Sequence, residues 1–488
     1  MAKRIAIPLL LFLWVFGTAA YFGQARLDWN ANSRLSLTYA IVEQGTFAID
    51  DYRQRPDFFS GGDCAEFEGH FYSDKIIGMS LLGVAPLFAA KTTARATGNY
   101  LPTNASRRLT TIFTTGLFAA LTAVLLFQLL RRLDCPPFGA ISLVAGYAFG
   151  TMAAGYATLF YSYVPAAFFA LGSYYLIFRK KPASENEFSS ELNNKLLLLA
   201  GLSLGLALLC EYTLTFIAIG LSILLLIQLR PRWRIFIYWA GAALPLTLFA
   251  AYTISCFGAI TLPYAHLVEG EFVEGMSRGF MGVSKFELPV LWYVTLHPYR
   301  GLFFFSPFLL FSLWGLWLMR GNPAWRKSLW LIVFFLLAYL WLNASYNHQW
   351  WGGWTYAPRH LFPLLPFLLI PLVWVWRRGP AWRAGLLATI ILAIALNMLA
   401  TVMGPNYPQG YETAQLLNPS FADNFHSPLL NQGLKEFTQG KLQPNFGQAL
   451  GFQGRWTLLP LVLFWIVMVS LLSIMIRREQ EPPTANAD

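Results

Sequence analysis

LLLLAGLSLGLALLCEYTLTFIAIGLSILLLIQL, residues 196–229, carries a single charged side chain, Glu211. A spanning helix needs roughly 20 apolar residues, so this run is too long for one crossing. It breaks naturally at Cys210-Glu211-Tyr212, which makes it two spans with Glu211 at the turn, near the outer side. An acid at membrane depth is expensive and is usually paired or functional. Thirteen apolar stretches run through the chain, of which these are two. A bilayer leaves backbone groups no partner except their own helix, so the fold class is all-α and polytopic, with about 12–13 transmembrane helices.

Composition agrees. The chain has 488 residues, 56% of them hydrophobic and 12% charged, and its 18 tryptophans suit rings parked at membrane interfaces. Mean hydropathy is +0.48. The net charge of +11 does not indicate nucleic acid. The basic residues fall in short runs at span ends, such as Lys3-Arg4, Arg131-Arg132, Arg179-Lys180-Lys181, Arg377-Arg378 and Arg477-Arg478, the pattern of cytoplasmic loops. Ile5 to Ala20 reads as a first span and not as a cleaved signal. Four cysteines show no metal spacing and no disulfide framework.

Threading the chain with the basic clusters inside puts spans at about 5–25, 107–130, 138–155, 157–178, 196–210, 212–229, 235–256, 301–319, 328–343, 360–376, 384–403 and 456–476. Both termini are then cytoplasmic. The segment at about 76–97 must not cross, and is expected to be re-entrant or to lie on the outer surface; thirteen crossings with a local breach of the charge bias is the alternative. Residues 1–403 form one transmembrane module with a long first outer loop, 26–106, carrying surface-lying helices. Residues 404–455 read as an outer lid, and 477–488 as a disordered cytoplasmic tail.

The recognisable chemistry lies in the outer loops. The stretch NSRLSLTYAIVEQ (32–44) predicts an amphipathic helix with Leu35, Leu37, Ala40, Ile41 and Val42 on its apolar face, ending at Gln44-Gly45. A turn at Gly61-Gly62-Asp63 follows, then Tyr72-Ser73-Asp74-Lys75. A carboxylate beside a lysine can activate an acceptor hydroxyl while the lysine holds a phosphate. A later loop, HQWWGGWTYAPRH (348–360), sets His348, Trp351, Trp354 and Tyr356 around Gly352-Gly353, with Arg359 and His360 at the mouth of the next span. Arginine suits bidentate phosphate recognition. An aromatic belt explains the tryptophans but not the Gly-Gly bend, nor an arginine where the charge bias disfavours one. Arg300, in HPYRGLFFF, is a second such arginine.

This layout resembles the GT-C superfamily of integral membrane glycosyltransferases, especially the branch that uses dolichyl- or undecaprenyl-phosphate sugars and includes protein O-mannosyltransferases and aminoarabinose transferases. The resemblance rests on YSDKIIGMSLL (72–82) and WWGGWTYAPRHLFPLLPF (350–367), and spans about Asn32 to Ile370. It implies an enzyme of the bacterial inner membrane, working on the extracytoplasmic face, that moves a sugar from a polyprenyl phosphate to a glycan, lipid or protein acceptor with inversion. It further implies a catalytic carboxylate among Asp63, Asp74 and Asp28, donor-phosphate contacts from Lys75, Arg300 and Arg359, and substrate contacts from Arg34, Tyr72, Glu211, His348, Trp351, Trp354, Tyr356 and His360. The sequence departs from the superfamily at the prolines that usually follow the lysine, here Ile76 and Ile77, and in the turn Tyr156–Pro165, which has no carboxylate. No cofactor is expected, although paired loop acids can hold a divalent ion. A transporter or flippase of a lipid-linked saccharide, and a non-catalytic assembly subunit, remain as alternatives.

Overall fold

The computed structural model describes residues 2–24, 28–178, 192–268, 270–346, 350–353, 355–406 and 427–480. The fold is almost wholly helical, and the one sheet among the described residues has two strands. Five helices are long and apolar enough to cross a membrane: Thr103–Arg132, Arg232–Phe257, Pro323–Ser345, Pro380–Met403 and Gly454–Glu479. Six shorter apolar helices accompany them, at Ala6–Tyr21, Pro137–Gly150, Tyr163–Ile177, Asn194–Cys210, Tyr212–Gln228 and Pro307–Met319. These helices fall where the sequence places spans, with one exception. Their outward faces are apolar: Phe236, Trp239, Leu244, Leu248 and Ile254 are exposed on one, Val462, Leu463, Ile466 and Val467 on another. Such surface is tolerable only against a lipid or protein partner.

The exception is the span expected at about 360–376, which is not a continuous helix. It is a chain of short helical turns, Arg359–Leu364, Leu365–Leu368 and Leu372–Trp376. Pro363, Pro366 and Pro371 remove three backbone donors and break the ladder. The segment is enclosed by protein along its whole length, with Leu361 through Val373 at 0% exposure wherever a value is given. Irregular backbone at membrane depth is tolerated only where protein surrounds it.

The break at Cys210-Glu211-Tyr212 is present. Helix Asn194–Cys210 ends there, Glu211 is extended (φ −153°), and helix Thr215–Gln228 follows a short turn. Helix Asn194–Cys210 packs on Ile235–Phe257 with backbones touching. A Cβ on Gly201 would lie 1.9 Å from the Tyr238 carbonyl oxygen, and one on Gly205 would lie 2.2 Å from that of Ala242. Small residues four apart on one helix permit this approach. Gly78 makes the same kind of contact, 2.2 Å from the Leu209 oxygen.

The amino-terminal part sets up the site. Helix α1 is Ala2–Tyr21 and α2 is Trp29–Gln44. Asp28 caps α2 by accepting from the Ala31 N–H at 3.0 Å, and Gly45 ends it in the left-handed conformation (φ 66°). The expectation of a surface-lying helix is corrected here. Residues 30–40 of α2 are all buried, the polar Asn30, Asn32, Ser33, Arg34, Ser36 and Thr38 included. Most of these polar groups have partners within the fold, the Ser36 hydroxyl and the Arg34 Nε being the exceptions. Strands β1 (Cys64–Phe67) and β2 (His70–Ser73) form a hairpin that the sequence does not announce. Its turn, Glu68-Gly69, has positive φ at both positions (50° and 81°), as a tight two-residue connection requires. Helix α3, Gly78–Ala96, packs on α2. Helix α4 is Thr103–Arg132, with a π-helical segment at Ile112–Gly116.

The described part of the expected lid leans on the end of α1: Gly23 N–H donates to the Pro444 oxygen at 2.7 Å, and Phe437 and Leu442 pack against the cluster that holds Tyr21 and Phe22. Residues 407–426, the heart of that loop, lie outside the described residues, as do most of the 182–195 loop and the tail from 481.

Candidate functional site

The hairpin delivers Asp74 and Lys75 inward. Side chains alternate along β2, so Ser73 is buried and meets the Ser33 hydroxyl of α2 at 2.7 Å, while Tyr72 faces away. Asp74 is 1% exposed and both its oxygens are engaged. One accepts from Lys75 Nζ at 2.6 Å, the other from Ser33 Oγ at 3.2 Å. Lys75 Nζ also lies 3.3 Å from Asp63, whose carboxylate is less enclosed. Burial pushes Asp74 up to about 6, against the pull of Lys75. Burial also opposes the Lys75 charge, but Asp63 and Asp74 outweigh it and hold the ammonium above the ordinary lysine value.

Glu211 is tied to Arg34. Ser162 Oγ donates to Glu211 at 2.9 Å and accepts from Arg34 Nη2 at 2.9 Å, and the ion pair itself spans 4.0 Å. Both are almost fully buried, which makes Glu211 a paired acid.

Asp28 accepts a hydrogen bond from the Tyr161 hydroxyl. Burial raises its pKa, Tyr161 and the Ala31 N–H pull it back, Asp63 pushes it up and Arg359 down. Asp28 and Arg359 are each partly exposed. Arg359 has no hydrogen bond or ion pair with any described residue, and its Nε is buried without a partner. Tyr163, Tyr161, Tyr156 and Asp28 are the groups nearest it electrostatically. The Gly-Gly bend is there to let its stem pass. Gly352 and Gly353 both have positive φ (74° and 73°), and a Cβ on Gly352 would sit 2.9 Å from Arg359 Cγ.

The charges gather around shared tyrosines. Tyr346 is within electrostatic reach of Arg359, Lys75, Glu211 and Asp63. Tyr264 is within reach of Asp74, Glu211 and Arg34, and its ring lies 5.5 Å from Lys75 Nζ. Asp28 feels both Asp63 and Arg359. Asp28, Asp63, Asp74, Lys75, Arg34, Glu211 and Arg359 are therefore linked through shared electrostatic neighbours into one charged cluster. No group of three or more His, Cys, Asp or Glu among the described residues is placed to hold a metal ion.

Other expected site residues fall elsewhere. Arg300 is wholly buried and donates to the Gly353 carbonyl at 2.6 Å, beneath the bend, so it supports the loop and offers no open face to a phosphate. Tyr72 packs on Phe257, with ring centroids 5.3 Å apart. Tyr356 is 1% exposed and donates to Asn397 at 3.1 Å, in the core. Trp351 is buried edge-on to Trp350, and His360 lies edge-on to Tyr346. His348 and Trp354 lie outside the described residues.

Three chamber residues escape the sequence reading: Ser33, Tyr161 and Ser162. Tyr161 and Ser162 sit in the turn Tyr156–Pro165, which has no carboxylate, and the run Tyr156…Tyr161-Ser162-Tyr163 was the available signal. Ser33 was signalled only by the polarity of α2. A scan against protein-family models and a search of curated proteins each return no match for this chain.

Proposed function

We propose that the protein is a membrane glycosyltransferase that moves a sugar from a polyprenyl phosphate to an acceptor hydroxyl or amine on the extracytoplasmic face, with inversion. In this reading the chain crosses the membrane twelve times, keeps α3 on the outer side and has both termini in the cytoplasm. The observation that carries it is a charged cluster in which Arg359, without a hydrogen bond or ion pair to any described residue, lies within electrostatic reach of the partly exposed Asp28. Asp74 and Asp63 share Lys75, and Glu211 pairs with Arg34.

The roles follow from engagement. Asp74, with both oxygens occupied, orients Lys75 and does not take a proton from substrate. Asp28 is the base: it is reachable, it is near the arginine, and burial raises its pKa toward the working range. Asp63 is the second candidate. The acceptor oxygen attacks the anomeric carbon, its proton passes to Asp28, and the bond from that carbon to the phosphate oxygen breaks. Arg359 stabilises the charge that develops on the departing polyprenyl phosphate, while Lys75, enclosed between Asp74 and Asp63, holds those carboxylates in place.

The test is to incubate purified protein with a panel of polyprenyl-phosphate sugars and acceptors and to identify products by mass. Transfer by the wild type, lost in Asp28→Asn and Arg359→Met with the protein still in the membrane, supports the proposal. Passage of an intact lipid-linked saccharide across liposomes with no new glycosidic product would replace it with a flippase. Neither transfer nor passage by any donor would remove it.

A further inference from the structure

A second polar site lies behind the chamber, where the end of α1 meets the start of α4. A cavity there is lined by Gln24, Asn104, Arg107, Arg108, Thr111 and Thr158, with Ala19 and Phe22 at its apolar side. It has about 50 Å³ of room for solvent centres, several times what one water needs. No carboxylate lines it, and neither arginine is paired with an acid among the described residues. Arg107 donates to the Asp57 carbonyl at 2.6 Å and to Asn32 at 3.3 Å. Arg108 uses one nitrogen, Nη2, to hold the carbonyls of Ala20 and Tyr21 at the end of α1. Its other two nitrogens are committed to no described residue. Two adjacent guanidinium groups with only neutral acceptors leave two positive charges uncompensated, an arrangement that favours an anion with several oxygens.

Two further features define the occupant. The seam between α1 and α4 that leads to the cavity carries an aromatic ladder. Phe12 stacks on Phe16 at 5.6 Å, and Phe16 meets Phe113 at 5.7 Å, with Phe113 half exposed. Rings that stand open on the flank of a spanning helix suit an acyl chain and not a soluble ion. The π-helical segment begins at Ile112, beside the cavity, and such bulges recur at functional sites. We infer that the Arg107–Arg108 cavity binds the phosphate of an anionic membrane phospholipid, with an acyl chain along Phe12, Phe16 and Phe113. This site stands apart from the transferase chamber and does not depend on its chemistry.

The test uses full-length protein, delipidated in detergent, with phosphatidylglycerol, phosphatidylcholine or inorganic phosphate added, and reads bound lipid by native mass spectrometry and stability by thermal shift. Phosphatidylglycerol is expected to be retained and to raise the melting temperature, phosphatidylcholine far less. Arg108→Gln is expected to weaken retention about tenfold, the worth of a charge-assisted hydrogen bond. Phe113→Ala, on an exposed ring that should not disturb folding, is expected to weaken it several-fold and covers the case in which Arg108→Gln misfolds. Retention unchanged in both variants overturns the inference. So does a thermal shift that inorganic phosphate reproduces in full, which would make the site one for a soluble anion.

Discussion

Replacing Lys75 by methionine isolates the cost of the buried charges in the chamber. Lys75 Nζ stands 2.6 Å from Asp74 and 3.3 Å from Asp63, and all but Asp63 are sealed from water. Methionine keeps most of the volume and removes the charge. Breaking one side of a buried pair costs about 3–5 kcal/mol, because the remaining ion has lost its partner. Asp74 has an escape, which is to take a proton. Its pKa is already raised in the folded state, and Lys75 is the strongest influence holding it down. Without Lys75 it rises further. A carboxyl with a raised folded pKa contributes stability that is complete below its unfolded value and is lost as pH climbs to the folded value. The wild type completes that loss near pH 6, whereas Lys75→Met goes on losing about 1.4 kcal/mol per pH unit above it. For a chain of this size that is about 1–2 °C of melting temperature per kcal/mol. Melting curves of detergent-solubilised protein between pH 6 and 8 measure this directly. The two proteins should diverge as pH rises, and the double change Asp74→Asn with Lys75→Met should recover most of the loss and run flat. Parallel curves for the wild type and Lys75→Met, or a double variant weaker than the single one, would refute the reasoning.

Four more outcomes follow from the same geometry together with the proposed transfer reaction. Tyr161→Phe removes a hydrogen bond that stabilises the Asp28 carboxylate; the acid limb of the transfer rate against pH should move up by about one unit, since the base then needs a higher pH to be ionised. Gly352→Ala places a Cβ against the stem of Arg359 at a positive φ; it should cost about 1–2 kcal/mol in thermal stability and raise the donor KM more than it lowers kcat. Glu211→Gln leaves Arg34 buried without its carboxylate, and should lower stability by about 2–4 kcal/mol with no change in membrane insertion, read by melting and by quantitative blotting of membranes. Arg359→Lys should keep only part of the transfer rate, because an ammonium lacks the planar fork that a phosphate engages.

The sequence made the helical layout legible because apolar length and basic flanks are local signals. The break at Glu211 and the left-handed cap at Gly45 were readable for the same reason: one charge in an apolar run and one glycine after a helix. The broken segment 359–376 was not, since its composition is that of a span and only its three prolines hinted otherwise. The enclosure of α2 was missed because its apolar face suggested a helix lying on a surface, whereas its polar face is satisfied by Ser73, Ser162 and Arg107, from parts of the chain far away in sequence. Lys75, Asp63 and Arg359 were legible as unusual charges in the loops between apolar segments. Their partition into held and reachable groups was not, because Asp28, Asp63 and Asp74 read alike in sequence and differ only in who touches their oxygens.

The glycine contacts have a mechanical consequence. Gly78 lies three residues after Lys75 and rests directly on the main chain at Leu209, two residues before Glu211. Gly201 and Gly205 in turn clamp that helix to its neighbour. No side chain intervenes along this route, so the backbones that carry the lysine and the glutamate are set directly against one another. A membrane that tilts one helix must tilt the whole clamp, and the two charge pairs travel together as a single rigid gauge.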